Sequence, residues 1–195
     1  NVPDSYYHVY ARGNNKQSIF LDPKDYLYFI NLFRRYLSSE PSKDKLGTLY
    51  PHLCKDIELV TYCLMGNHFH LLVYQKTLGA MGKLMKSVMS SYCQYFNLKY
   101  GRTGGLFEST YKASLVRSEI YLLHISRYIH LNPRYWRNYP YSSIGVYLDN
   151  QEVDWMSCVR IMELFSDKDE YELFLRDYSD RRILSSALKG ELANT

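Results

Sequence analysis

Glycine and proline are scarce, 10 and 6 among 195 residues, which excludes collagenous and low-complexity chains. No apolar run approaches the roughly 18 to 20 residues that a membrane helix needs, so no transmembrane segment is expected. The four cysteines, Cys54, Cys63, Cys93 and Cys158, include no Cys-x-x-Cys pair. Their spacing argues against a zinc ribbon, a redox pair or a disulfide scaffold and leaves buried thiols as the reading. Asn1-Val2-Pro3-Asp4 has neither a basic start nor an apolar stretch, so no secretory signal shows and a cytoplasmic protein is expected. Gly101-Arg102-Thr103-Gly104-Gly105 lacks the Gly-Lys-Ser/Thr ending of a phosphate loop, so ATP is not expected. There is no repeat and no long linker, and the length suits one domain with a proper core.

Anions are nearly missing from the middle of the chain. Residues 76–137 hold ten Lys+Arg against two Asp+Glu, whereas residues 138–195 hold six against eleven and residues 1–75 are almost balanced. A cationic segment of that kind is the footprint of a polyanion partner, because each phosphate contacted releases counterions. Nucleic acid is therefore the leading partner class. The chain also carries 21 Tyr. Aromatic faces among cations suit stacking on unpaired bases, although most tyrosines pack cores and half-buried surfaces.

Hydrophobic periodicity orders the elements. Residues 6–12 are β-prone and end at Gly13-Asn14-Asn15, a first strand. Asp22-Pro23 opens a helix in which Tyr26, Phe29, Ile30, Phe33 and Leu37 recur at helical spacing. Residues 56–64 and 68–74 flank Met65-Gly66-Asn67 as a hairpin. A second helix sets Met81, Leu84, Met85, Val88 and Tyr92 against a wet face with Lys83 and Lys86. A strand is expected over Leu106–Val116, and Ser118 caps a third helix that runs to about Asn132, before Pro133. The order predicts an α+β domain: an antiparallel sheet of about four strands with helices packed on it. The acidic tail contains a helix over roughly Asp167–Tyr178 and reads as a surface appendage.

His68-Phe69-His70 opens a strand, so both imidazoles project from one face and can chelate a divalent ion. On the third helix Tyr121, His124, Tyr128 and Asn132 share a stripe beside the apolar stripe of Leu122, Ile125 and Ile129. If the apolar stripe lies on the sheet, Tyr128 and Asn132 face the histidine pair one turn apart. Asn132 then offers an oxygen ligand, and Tyr128 a hydroxyl that a nearby cation helps to ionise for attack on a phosphodiester. On spacing alone the plainer alternative stands beside this one: Tyr128 a packing residue and His124 a surface or cap histidine.

Three segments, Tyr7-His8-Val9 with Arg12-Gly13-Asn14, Met65-Gly66-Asn67 before His68-Phe69-His70, and Tyr128-Ile129-His130-Leu131-Asn132-Pro133, resemble the single-tyrosine HUH transposases of the IS200-like family. Tyr139-Pro140-Tyr141-Ser142-Ser143 and the C-terminal extension look most like the REP-associated tyrosine transposase branch. The chain departs from the family pattern at Ser109-Thr110, where many relatives carry Gly-Arg before Tyr-Lys. The resemblance implies a ferredoxin-like HUH domain over residues 1–147 and an acidic, mostly helical extension of it over 148–195. It implies a nucleophile, Tyr128, and a metal site of His68, His70 and Asn132 for Mg²⁺ or Mn²⁺. Candidate DNA contacts are Arg12, Lys76, Lys83, Lys86, Lys112 and Arg117. The implied activity is cleavage and rejoining of single-stranded or hairpin DNA through a 5′-phosphotyrosine, by a cytoplasmic, nucleoid-associated bacterial protein acting as monomer or homodimer. The alternatives are a non-cleaving hairpin-binding protein and a metal-dependent hydrolase that uses water.

Overall fold

The computed structural model describes residues 2–177. Four strands, β1 (Ser5–Arg12), β2 (Ile57–Met65), β3 (His68–Gln75) and β4 (Lys112–Val116), form one sheet in the order β2-β3-β1-β4. Every pairing is antiparallel. Helix α1 (Pro23–Leu37) joins β1 to β2, and α2 (Ala80–Tyr100) joins β3 to β4. This is the βαββαβ ferredoxin-like arrangement, as expected. Met65 pairs with His68, which leaves Gly66-Asn67 as a two-residue turn. The turn is anchored, because the Gly66 carbonyl accepts from the amides of Ile19 and Phe20 at 2.8 and 3.1 Å. Gly13 donates to the Asn67 carbonyl at 2.8 Å, and a Cβ there would stand 2.1 Å from the Gln17 carbonyl oxygen, so only glycine fits.

Strand alternation separates the two faces of the sheet. Tyr7, Val9 and Ala11 of β1 and Phe69, Leu71 and Val73 of β3 are buried toward α1 and α2, where the Phe29 ring lies 5.1 Å from Phe69 and 4.9 Å from Tyr92. Helix α1 starts with a capping box in which Asp22 and Asp25 each accept the other's amide. Asp25 is fully buried, and it also accepts from the Leu21 amide, Lys99 Nζ, Tyr95 OH and Tyr100 OH at 2.7–3.1 Å. A buried carboxylate is tolerated only when its lone pairs are met, and meeting them ties the start of α1 to the end of α2.

The opposite face is covered by α3 (Glu119–His130), capped by Ser118, whose Oγ accepts from the Tyr121 amide at 3.2 Å. Leu122, Ile125 and Ile129 form its buried stripe, as their spacing predicts. Two expectations are corrected here. The returning strand is short, Lys112–Val116: Phe107 makes only an isolated antiparallel bridge with Gly13, the Glu108 amide donating to the Arg12 carbonyl, and residues 108–111 interrupt the pairing before β4. Nor is the acidic tail a surface appendage. It contributes α4 (Ile144–Leu148), α5 (Val159–Met162) and α6 (Lys168–Arg176), and α6 buries Tyr171 and Leu175. Tyr178, the expected end of that helix, lies outside the described residues.

What binds the tail is a buried polar network that i,i+4 charge counting does not reveal. His130 Nδ1 meets Tyr171 OH at 2.8 Å and His130 Nε2 meets Ser143 Oγ at 2.7 Å. Ser143 Oγ in turn accepts from the Tyr62 amide at 3.0 Å. The segment before it seals the edge of β2: the Leu64 amide donates to the Tyr141 carbonyl and Tyr139 OH to the Leu64 carbonyl. Tyr171→Phe keeps the ring and strips His130 Nδ1 of its partner. It is expected to cost about 1–3 kcal/mol in urea unfolding; a midpoint equal to the parent's would show that the network does not hold α6.

Candidate functional site

The face under α3 carries the histidines. On β3, His68 and His70 alternate with buried Phe69 and project together, their rings 5.1 Å apart and inclined at 81°. His68 Nδ1 is bonded to Asn67 Oδ1 at 2.7 Å, and its Nε2 points to Asn132 Oδ1 at 3.4 Å. His70 Nδ1 is bonded to His8 Nε2 at 3.0 Å, and its Nε2 lies 3.5 Å from Tyr128 OH. In each imidazole one nitrogen is thus committed to a neighbour and the other turned to a common space beside Tyr128 and Asn132. Tyr128 reaches the pair from α3, and Asn132 from just past that helix, which ends at His130 and not near Asn132 as expected; His124 makes no hydrogen bond to either histidine among the described residues.

Burial governs the protonation states. It drives the His70 imidazole well below its ordinary value, aided by the neighbouring His8, His68 and Arg12, and it lowers His8 to about 4. His68 is also lowered by burial, with the Asn132 hydrogen bond working against the shift. Burial raises the Tyr128 phenol, while its hydrogen bond with Asn132 and the Arg12 charge pull it down. The site therefore holds three neutral imidazoles and a neutral phenol at neutral pH, with open nitrogen lone pairs for a cation and no carboxylate. No group of three His, Cys, Asp or Glu able to hold a metal occurs among the described residues.

The family model described as "Transposase IS200 like" matches residues 1–132, the segment that begins before β1 and closes on Asn132. The chain belongs to the IS200-like transposases. Among solved structures, a REP-associated tyrosine transposase bound to a REP hairpin is similar over 80% of this chain and 87% of that one, at 13% identity and a TM-score of 0.49. No curated protein matches. Membership makes the chain a transposase-type, DNA-binding protein, and no helix among the described residues is long and apolar enough to cross a membrane.

On this IS200-like frame the candidate DNA contacts separate. Arg12 pairs in register with His68, and Lys112 with Tyr10, so both stand at the site end of the sheet and both are exposed. Lys76 follows the far end of β3 and is held by Glu58 at 2.5 Å. Arg117 follows β4 at the same far end, near Tyr6. Lys83 and Lys86 lie on the exposed side of α2, across the sheet from the histidines. The tyrosines are largely structural: among the described residues only Tyr135, just past Asn132, is exposed.

His8 was not a candidate from sequence. It is buried on the histidine face of β1, and its parity opposite Tyr7 and Val9 was the available signal. His8, at about 4, and His130, at about 3, are neutral when folded, whereas the unfolded chain titrates near 6.5. The unfolded state therefore binds more protons between these values, and stability is lost as pH falls from about 6.5 toward 4. Urea midpoints between pH 7.5 and about 5 should fall accordingly; a flat profile would contradict neutral burial of these rings.

Proposed function

We propose that the protein is a DNA-nicking and rejoining enzyme of the REP-associated type, acting on single-stranded DNA beside a hairpin. The observation that carries this reading is the approach of Tyr128 OH to His70 Nε2, 3.5 Å, within a pocket of open ligand atoms. Tyr128 oxygen attacks the scissile phosphorus as its proton leaves, the new bond being O–P. The bond from phosphorus to the 3′ oxygen breaks, giving a 5′-phosphotyrosine and a 3′-OH. Rejoining reverses the exchange, with the 3′-OH as nucleophile and Tyr128 as leaving group.

His68 Nε2, His70 Nε2 and Asn132 Oδ1 would hold the divalent ion, and their second ring nitrogens are already bonded as ligand histidines require. When bound, Mg²⁺ or Mn²⁺ polarises the phosphate and favours ionisation of the phenol. A donor set of two nitrogens and one neutral oxygen suits Mn²⁺ better than the harder Mg²⁺. Arg12 and Lys112, at the mouth of the site, take the flanking backbone phosphates, and Tyr135 offers an exposed face for an unpaired base. Because one chain completes the site, a monomer suffices, and a DNA substrate places the enzyme in the cytoplasm.

Incubation with a single-stranded hairpin oligonucleotide and Mn²⁺ should give a denaturation-resistant protein–DNA adduct that disappears in Tyr128→Phe. His68→Ala and His70→Ala should lose cleavage and keep most hairpin binding. Binding without any adduct would identify a non-cleaving hairpin protein, and cutting without an adduct would identify a hydrolase that uses water.

Asn132→Ala removes the weakest donor and leaves both imidazoles. It should need more Mn²⁺ for half-maximal cleavage and recover at high metal, since a ligand deficit yields to mass action and a missing nucleophile does not. A metal titration superimposable on the parent's would move the third ligand elsewhere, with His124 the next residue to replace.

A further inference from the structure

We propose that His8 is a positioning residue for His70: its imidazole fixes the His70 ring through the Nε2···Nδ1 hydrogen bond and keeps His70 Nε2 open toward Tyr128. The inference rests on the reading of His70 as a metal ligand and adds to it a residue that sets that ligand's orientation and proton placement. Three observations carry it. The bond is 3.0 Å long, the two rings are stacked with centroids 5.1 Å apart and 22° between planes, and both rings are buried. Second, the two residues are diagonal neighbours on one face of the β1·β3 pair, where His8 pairs with Leu72 and His70 with Tyr10, so backbone register dictates the contact. Third, His8 Nδ1 is buried and has no hydrogen-bond partner among the described residues.

The third observation bears on the direction of the bond. One ring must donate and the other accept, since both are neutral. If His8 Nε2 donates, the remaining proton of His70 sits on Nε2 and closes it to a cation. If His70 Nδ1 donates, Nε2 keeps its lone pair, and the His8 proton moves to Nδ1, where nothing receives it. A buried donor without a partner is costly, and a structural pair would avoid it. The hydrogen bond alone thus favours the first arrangement; a cation at His70 Nε2 would select the second, in which His8 Nε2 accepts and holds the His70 ring in the ligating orientation.

The test replaces His8 by Phe, which fills the ring volume without an acceptor, and by Gln, whose amide oxygen reaches the position of Nε2. Full-length protein is titrated with Mn²⁺ alone, free Mn²⁺ being read by electron paramagnetic resonance, with His70→Ala as reference. His8→Phe is expected to weaken Mn²⁺ binding about 10- to 100-fold, the usual effect of removing a partner behind a ligand histidine, and His8→Gln to stay close to the parent. Histidine-selective ¹⁵N spectra of the Mg²⁺-saturated parent should show the His70 proton on Nδ1, a readout that needs no variant to fold. Parent-like Mn²⁺ affinity in His8→Phe, equal losses in His8→Phe and His8→Gln, or a His70 proton on Nε2 in the Mg²⁺-saturated parent would each overturn the proposal. Should His70→Ala itself bind Mn²⁺ like the parent, the metal reading falls and this inference with it; a loss confined to His70→Ala removes only the role of His8.

Discussion

Everything in this molecule depends on the two-residue period of β1 and β3. A sheet covered on both sides has to divide its side chains, and here the division is unequal in kind. One face is hydrocarbon and aromatic ring, packed under α1 and α2. The other places His8, His68 and His70 beneath α3. A slip of one residue in either strand would exchange the faces, burying imidazoles among Phe29 and Tyr92 and exposing the core to α3. The apolar face fixes the register, and the register is what assembles the three histidines. Chemistry at this site is therefore secured by hydrophobic burial on the far side of the sheet.

Much of this was legible in residue spacing. Alternation placed His68 and His70 together, helical spacing brought Tyr128 and Asn132 over them, and the capping residues Asp22 and Ser118 marked two helix starts that the structure keeps. Contacts between distant strands were not legible. His8 and His70 lie 62 residues apart, and nothing local to either says which residues of two strands will be diagonal neighbours. Charge counting had the same weakness: it pooled Lys112, at the site end, with Lys83 and Lys86 on the opposite layer, and it passed over Arg12. The abundance of tyrosine pointed to base stacking, yet Tyr92, Tyr147 and Tyr171 are interior residues whose hydroxyls satisfy neighbouring polar groups.

The family segment ends at Asn132, but the helix that carries Tyr128 is finished by residues beyond it. His130, two positions from each of Tyr128 and Asn132, is met by Ser143 on one ring nitrogen and Tyr171 on the other. The C-terminal part thus sets the rotation of α3 about its axis, and with it the direction in which Tyr128 and Asn132 point. Asp25 serves a comparable purpose on the other layer, where a satisfied buried charge joins α1 to α2. In both places a polar contact defines geometry that apolar packing alone leaves free to slide.

The central position of β1 has a consequence for biosynthesis. β1 is bordered by β3 on one side and β4 on the other, so it has no sheet partner until residues 68–75 have been synthesised, and its second partner follows only with residues 112–116. The contacts that close the site arrive later still, with Tyr128, then Ser143 and finally Tyr171. Such non-local pairing is slow to form, because loop closure must precede the contacts that reward it. A nascent chain emerging from the ribosome therefore carries the histidines before Tyr128, and then Tyr128 on an unclamped helix. The constellation is held in place only once residue 171 has been made.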